Sequence, residues 1–170
     1  MYRNTKNVPY YVFGRGSLAQ LGDLLKPRRE AVDGPVVYFV DHFFRDHELI
    51  GRLPMEKGDQ LHFVDSSSEP EVTRIDAFKE AVSAADSRIP CCVVGIGGGN
   101  ALDTAKAVAY YLESPVIICP TIASTDAPCS ALSVLYTDDG QFDKYLFLKA
   151  NPNIVLMDTT VIAASPVRLT

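Results

Sequence analysis

Three patterns in this chain point to an open, doubly wound parallel α/β sheet followed by a C-terminal β-hairpin. Between residues 36 and 119, short β-branched and aromatic runs alternate with amphipathic stretches, the rhythm of strand–helix–strand units in a parallel sheet. The strand-like runs are apolar at successive positions, as strands covered on both faces must be. A glycine triplet, Gly97-Gly98-Gly99, separates one such run from a helical stretch, where doubly wound sheets place a ligand-binding turn.

Residues 10–13 read as a first strand. Ser17 then caps a helix that runs through Leu25 and is stopped by Pro27. Residues 36–40 form a continuous apolar strand closed by Asp41, and residues 61–64 a shorter one followed by Asp65. After the loop Ser66-Ser67-Ser68-Glu69-Pro70, Ile75, Phe78, Val82 and Ala85 recur at near-helical spacing, with Lys79 the polar exception. Residues 91–96 are the next buried strand. Residues 100–112 read as a helix with Leu102, Ala105, Ala109 and Leu112 on one face, and residues 116–119 as a strand ending at Pro120. The last fifty residues change character: residues 131–136 and 142–148 flank the turn signal Asp138-Asp139-Gly140 and predict a hairpin. Residues 154–157 add a final apolar strand ending at Asp158. The stretch Val167-Arg168-Leu169-Thr170 brings neither a helix cap nor a polar tail, which reads as a boundary inside something longer. Residues 1–170 are therefore expected to form a single domain.

The chain has 170 residues, 47% of them hydrophobic and 22% charged, enough for a core without disulfides or metal and too apolar for disorder. Its net charge of −5 is spread over both halves, so no basic stripe exists for nucleic acid. No apolar run approaches a membrane span, and the N-terminus lacks a signal-peptide pattern, so a cytoplasmic protein without membrane or nucleic-acid partners is expected. Cys91, Cys92, Cys119 and Cys129 lie in apolar or small-residue segments without zinc or redox spacing. They read as reduced core thiols, and adjacent Cys91 and Cys92 should face opposite sides of a sheet.

The strongest local motif is Gly95-Ile96-Gly97-Gly98-Gly99-Asn100-Ala101-Leu102-Asp103. Glycines let a backbone approach an anion closely, and a helix N-terminus offers N–H groups with a positive dipole. The spacing matches neither Gly-x-Gly-x-x-Gly nor a P-loop. The turn therefore reads as a phosphate seat or as a plain tight turn capped by Asn100, with Asp103 its capping-box partner. Asp41 can accept from a ribose diol or can be a solvated strand end. If it holds a ribose, its charge favours NAD over NADP. The hydroxyl-rich segment from Pro120 to Pro128 follows a strand's C-terminal end, where ligands bind in parallel sheets, and reads equally as a rigid Ser/Thr turn. His42, His47 and His62 are scattered, and His42 reads as a surface residue. The residues thus describe a binding surface without a self-contained catalytic set.

Gly97-Gly98-Gly99 with Leu102-Asp103-Thr104-Ala105-Lys106-Ala107 resembles the glycerol dehydrogenases of the iron-containing (group III) alcohol dehydrogenase superfamily. So do the run from Pro120 through Val134, Asn151-Pro152-Asn153 and Met157-Asp158-Thr159. The match is dense from about residue 95 to 168. It is looser before that, through Tyr11-Val12-Phe13-Gly14-Arg15-Gly16-Ser17 and the strand ending at Asp41, where the chain is closer to the branch acting on 3-deoxy-octulosonate sugars.

The resemblance implies a Rossmann-like, dehydroquinate synthase-like N-terminal domain. On it, Asp41 would hold the adenosine ribose, and Gly98, Gly99 and the backbone of Asn100 the pyrophosphate of NAD. Thr121, Ser124, Ser130, Leu132 and Tyr136 would line the rest of the dinucleotide cleft, and Asp126 would touch a small polyol. A divalent zinc or iron polarises the alcohol in this family, held by one Asp and two His of a C-terminal helical domain. The Asp would follow Thr170 by a few residues and the His would come much later, so this chain looks like the N-terminal half, cofactor-binding and without metal or turnover of its own. Glycerol dehydrogenases usually carry Lys after the glycines; Asn100 stands here, keeping backbone contacts and losing a charge toward the phosphates. The alternatives are a dehydroquinate synthase-like NAD and metal lyase, a 3-deoxy-octulosonate dehydrogenase branch member, or a non-catalytic truncated, engineered or joined domain. An exposed apolar face implies self-association or a homo-oligomer.

Overall fold

Apolar runs with one residue per pleat toward each face build the centre of the molecule. Its computed structural model describes residues 7–67 and 70–167. Expectations placed on residues 1–6, Ser68, Glu69 and residues 168–170 lie outside the described residues. Six strands form one parallel sheet: β1 (Tyr11–Gly14), β2 (Val36–Asp41), β3 (Gln60–Val64), β4 (Cys92–Gly97), β5 (Val116–Pro120) and β8 (Ile154–Asp158). Their spatial order is β1-β8-β5-β4-β2-β3. Strands β6 (Leu132–Tyr136) and β7 (Phe142–Phe147) form the separate antiparallel hairpin, turning at Gly140 with φ +77°.

Alternation in the strands sorts side chains into two cores, one on each face. Val36, Tyr38, Val40, Cys92, Val94, Ile96, Ile117, Cys119 and Leu156 meet Leu21, Leu25 and Leu49 on one side. There lie α1 (Leu21–Ala31) and the short α2 (Glu48–Gly51), with half-buried Val161 from α5 (Thr159–Ala163) packed against them. Val37, Phe39, Val93, Val116 and Ile118 meet α3 (Val72–Ala85) and α4 (Gly99–Tyr111) on the other. Helix α4 comes especially close to the sheet: a β-carbon on Gly95 would lie 2.7 Å from that of Ala105.

Four sequence expectations are corrected. Pro27 does not stop the first helix: α1 continues through it to Ala31, because Leu21 and Leu25, fully buried, hold the helix on the sheet despite the missing N–H. Ser17 caps nothing; it opens a 3-10 turn over Ser17–Gln20 after Gly16, whose φ is +69°, and its Oγ donates to the Met157 carbonyl at 2.9 Å. Cys91 and Cys92 enter the same core, since Cys91 precedes β4 and escapes its alternation. Helix α4 is buried all round from Ala101 to Ala109 instead of along one stripe, because the hairpin covers the side that the sheet leaves open. The short helices α2 and α5 carry no periodicity and were not expected.

Buried Asp158 fastens the edge of the sheet. Its Oδ1 accepts from the N–H groups of Gly16 and Thr160, each at 2.9 Å, and its Oδ2 from Leu18 N–H at 3.1 Å. Burial opposes ionisation of this carboxyl, but the backbone donors outweigh it and hold it below the usual carboxylate range.

Candidate functional site

The chain leaves β2 toward β3 on one side and leaves β4 toward β5 on the other. The carboxyl ends of β2 and β4 therefore flank the topological switch point, the crevice where open α/β sheets bind ligands. Asp41 ends β2 and Gly97 ends β4, so the two motifs singled out in the sequence meet there. A β-carbon on Gly97 would stand 2.8 Å from the Cβ of Asp41 and 2.8 Å from that of Ala101. Gly97 also has φ +151°, a region that side-chain-bearing residues rarely adopt.

Helix α4 is capped by Gly98 rather than Asn100, without a side-chain cap hydrogen bond. The first turn thus offers main-chain N–H groups and the positive end of the helix dipole to an anion. Side chains of the loop after β5 press on this turn: a β-carbon on Gly98 would come 2.9 Å from Ile122 Cδ1, and one on Gly99 3.2 Å from Thr125 Cγ2. The hydroxyl-rich loop after β5 is therefore folded against the glycine turn, with Thr121 N–H donating to the Gly97 carbonyl at 3.0 Å. Thr125 Oγ1 accepts from Ala127 N–H at 3.2 Å, a Ser/Thr turn, while Ser124 and Asp126 remain exposed.

Asp41 is half-buried and both of its oxygens are engaged. Oδ1 accepts from Phe43 N–H at 2.9 Å and Oδ2 from Ser66 Oγ–H at 2.8 Å. Each retains a lone pair that a diol could reach. The Pro70 carbonyl accepts from Tyr136 N–H at 3.1 Å. Tyr136 and Leu132 stand half-buried on β6. Exposed His42 bonds nothing in this set, and His47 caps α2 by accepting from Leu49 N–H. His62 stacks on Phe39 at 5.3 Å, and burial lowers its pKa.

Lys106, part of the helical motif after the glycines, takes a role that its sequence neighbours do not assign. Lys106, 1% exposed, donates from Nζ to the carbonyls of Leu132 at 2.6 Å and Ala127 at 2.8 Å, and to Ser130 Oγ at 3.2 Å. It also pairs with Asp103 Oδ1 at 2.9 Å. Ser130 is thus turned toward Lys106, and its hydroxyl donates to the Leu132 carbonyl at 3.4 Å. Burial raises the pKa of Asp103 against the opposing pull of Lys106. Ser133 Oγ donates to the Asp103 carbonyl and Val134 N–H to Asp103 Oδ2, tying β6 to the same helix. The available signal was an Asp and a Lys three apart inside an otherwise small and apolar helical run.

Among the described residues no three His, Cys, Asp or Glu side chains are grouped to hold a metal ion. No described helix is long and apolar enough to cross a membrane.

The family model for iron-containing alcohol dehydrogenase matches residues 9–159. The chain is similar to a glycerol dehydrogenase of Pseudomonas putida, 45% identical over 163 residues, and to one of Escherichia coli O6:H1, 41% identical over 167 residues. Each alignment covers 94% of this chain and 42% of the relative. The crystal structure of a probable glycerol dehydrogenase from Sinorhizobium meliloti 1021 superposes with a TM-score of 0.83 at 31% identity, covering 99% of this chain and 44% of that one. The chain therefore spans less than half the length of these relatives.

Proposed function

The chain belongs to the iron-containing alcohol dehydrogenase family, and we propose that it supplies the NAD-binding domain of a polyol dehydrogenase resembling glycerol dehydrogenase. In the whole enzyme such a protein oxidises glycerol to dihydroxyacetone while NAD becomes NADH. The observation that carries this reading is the meeting of Asp41 with the Gly97-Gly98-Gly99 turn at the switch point, close enough that a single β-carbon would fill the gap. This close pairing suits a dinucleotide, whose ribose and pyrophosphate need a carboxylate and a helix amino end side by side.

When bound, NAD supplies the hydride acceptor for the alcohol carbon. The chain's own residues bind and orient. Asp41, already fixed by Phe43 and Ser66, accepts from the adenosine ribose, and its charge disfavours a 2′-phosphate. Gly98, Gly99 and the backbone of Asn100 receive the pyrophosphate. Thr121, Ser124, Ser130, Leu132 and Tyr136 form the remaining wall, and exposed Asp126 meets a substrate hydroxyl. The described residues group no donors for the zinc or iron of such an enzyme.

Calorimetric titration of the chain with NADH and NADPH, repeated with Asp41→Ala, tests the reading. NADH should bind in the micromolar to millimolar range, about −8 to −4 kcal/mol, and NADPH more weakly. Asp41→Ala should lose NADH affinity at least tenfold and narrow the difference between the two. A folded chain that takes up neither nucleotide overturns the proposal.

A further inference from the structure

Resting on the NAD-binding reading, we infer that Lys106 is a positioning residue for the cofactor: its ammonium, and not merely its bulk, sets the shape of the cleft wall formed by residues 127–132. Its side chain is fully enclosed. The carbonyls of Ala127 and Leu132 and the hydroxyl of Ser130 all converge on Nζ within 3.2 Å. An ammonium has three N–H donors, and they are shared among these three acceptors of one short loop and the Asp103 carboxylate at 2.9 Å. Carbonyls that would otherwise point to solvent or cofactor are turned inward, and the half-buried side chain of Leu132 is left on the wall.

The same helix carries the glycine turn at its start, about 10 Å from Lys106 at 1.5 Å per residue. Helix α4 is therefore one rigid piece that fixes both the pyrophosphate seat and the opposite wall. Asp103 completes the arrangement. It balances the buried charge at 2.9 Å and accepts from Val134 N–H with its other oxygen, so the loop and strand β6 share one anchor. Lys106 touches neither cofactor nor substrate; it acts through the loop.

Two variants of the full 170-residue chain separate this role from simple stability. Lys106→Met keeps the volume and removes the ammonium, but it strands the Asp103 carboxylate. Asp103→Asn/Lys106→Met removes that stranded charge and keeps an acceptor for Val134. Each is followed by thermal melting, by NADH titration and by the labelling rate of Cys129, which sits half-buried in this loop while the other three thiols are buried. Lys106→Met should melt early, label Cys129 at least tenfold faster and bind NADH at least tenfold more weakly. The double variant should recover most of the melting temperature and yet keep the fast labelling and weak binding. Wild-type labelling in either folded variant, or wild-type NADH affinity in the double variant, overturns the inference. If the wild-type chain itself takes up no NADH, the cofactor reading fails separately. Cys129 labelling then still decides whether Lys106 orders the loop.

Discussion

Gly97 and Asp41 face each other across the switch point so closely that a β-carbon on the first would lie 2.8 Å from the Cβ of the second. The strand end at β4 is thus narrowed to backbone to leave room beside a carboxylate. Gly97→Ala combines this collision, and a second with Ala101, with a φ of +151°. Strain and overpacking of this kind each cost about 1–3 kcal/mol, so urea unfolding should show a loss of roughly 3 kcal/mol. NADH binding should fall with it, because the shift pushes Asp41 away from its position. A fully stable Gly97→Ala chain that binds normally would remove the geometric argument.

Asp158 and Asp59 make stability sensitive to acid. Asp59 accepts from Arg29, Val36 N–H and Glu56 N–H. Burial works against its charge, yet the Arg29 guanidinium and these amides hold its carboxyl low, as backbone donors do for Asp158. Both folded pKa values lie below the unfolded value of about 3.9. The unfolded chain therefore takes up protons first, and the stabilisation is complete above that pH and lost as pH falls through the folded values. Guanidinium melts between pH 6 and 2.5 should be flat from these groups above about pH 5 and fall steeply below 4. Asp158→Asn should be less stable at pH 6 by about 2–3 kcal/mol and should show a shallower acid slope. An unchanged slope would mean that Asp158 carries none of the linkage.

Much of this was legible because it is local. The apolar runs of β2 and β4, the Asp-Asp-Gly turn of the hairpin, and the carboxylate and glycines at strand ends are set by neighbours within a few residues. Lys106 was not legible as an anchor, since its acceptors lie 21 to 26 residues further along the chain and the helix alone does not show what covers it. The passage of α1 through Pro27 was hidden for a related reason: a local breaker loses to two leucines buried against the sheet. Helices α2 and α5, of four and five residues, are too short for a period to register.

Pro27 offers a direct test of that override. Its missing N–H leaves the Asp23 carbonyl without its helical donor, and a proline in a helix interior costs about 3 kcal/mol. Proline also restricts the unfolded chain, which returns roughly 0.5–1 kcal/mol. Pro27→Ala should therefore stabilise the chain by about 2 kcal/mol, raising the melting temperature by several degrees without altering NADH affinity, since α1 lies on the face opposite α4. A lower melting temperature would mean that the proline itself is needed for α1 to sit on the sheet.

The four thiols should divide one against three. Cys92 is enclosed in the core, and burial pushes its pKa up to about 12. Burial drives Cys119 upward too, and raises Cys91. A thiolate is the reacting species, so raised and enclosed thiols label slowly. Cys129 is half-buried in the loop that Lys106 anchors, with its Sγ–H donating to the Asp126 carbonyl at 3.4 Å and its own carbonyl accepting from Asn151 at 2.7 Å. A disulfide reagent at pH 8 should titrate one thiol in the folded chain and four in denaturant, and Cys129→Ser should abolish the native reaction. Saturating NADH should slow it, because cofactor seated against residues 130–136 holds the loop closed over the sulfur. Unchanged labelling in a chain shown by calorimetry to bind NADH would separate this loop from the cofactor cleft and assign the wall to other residues.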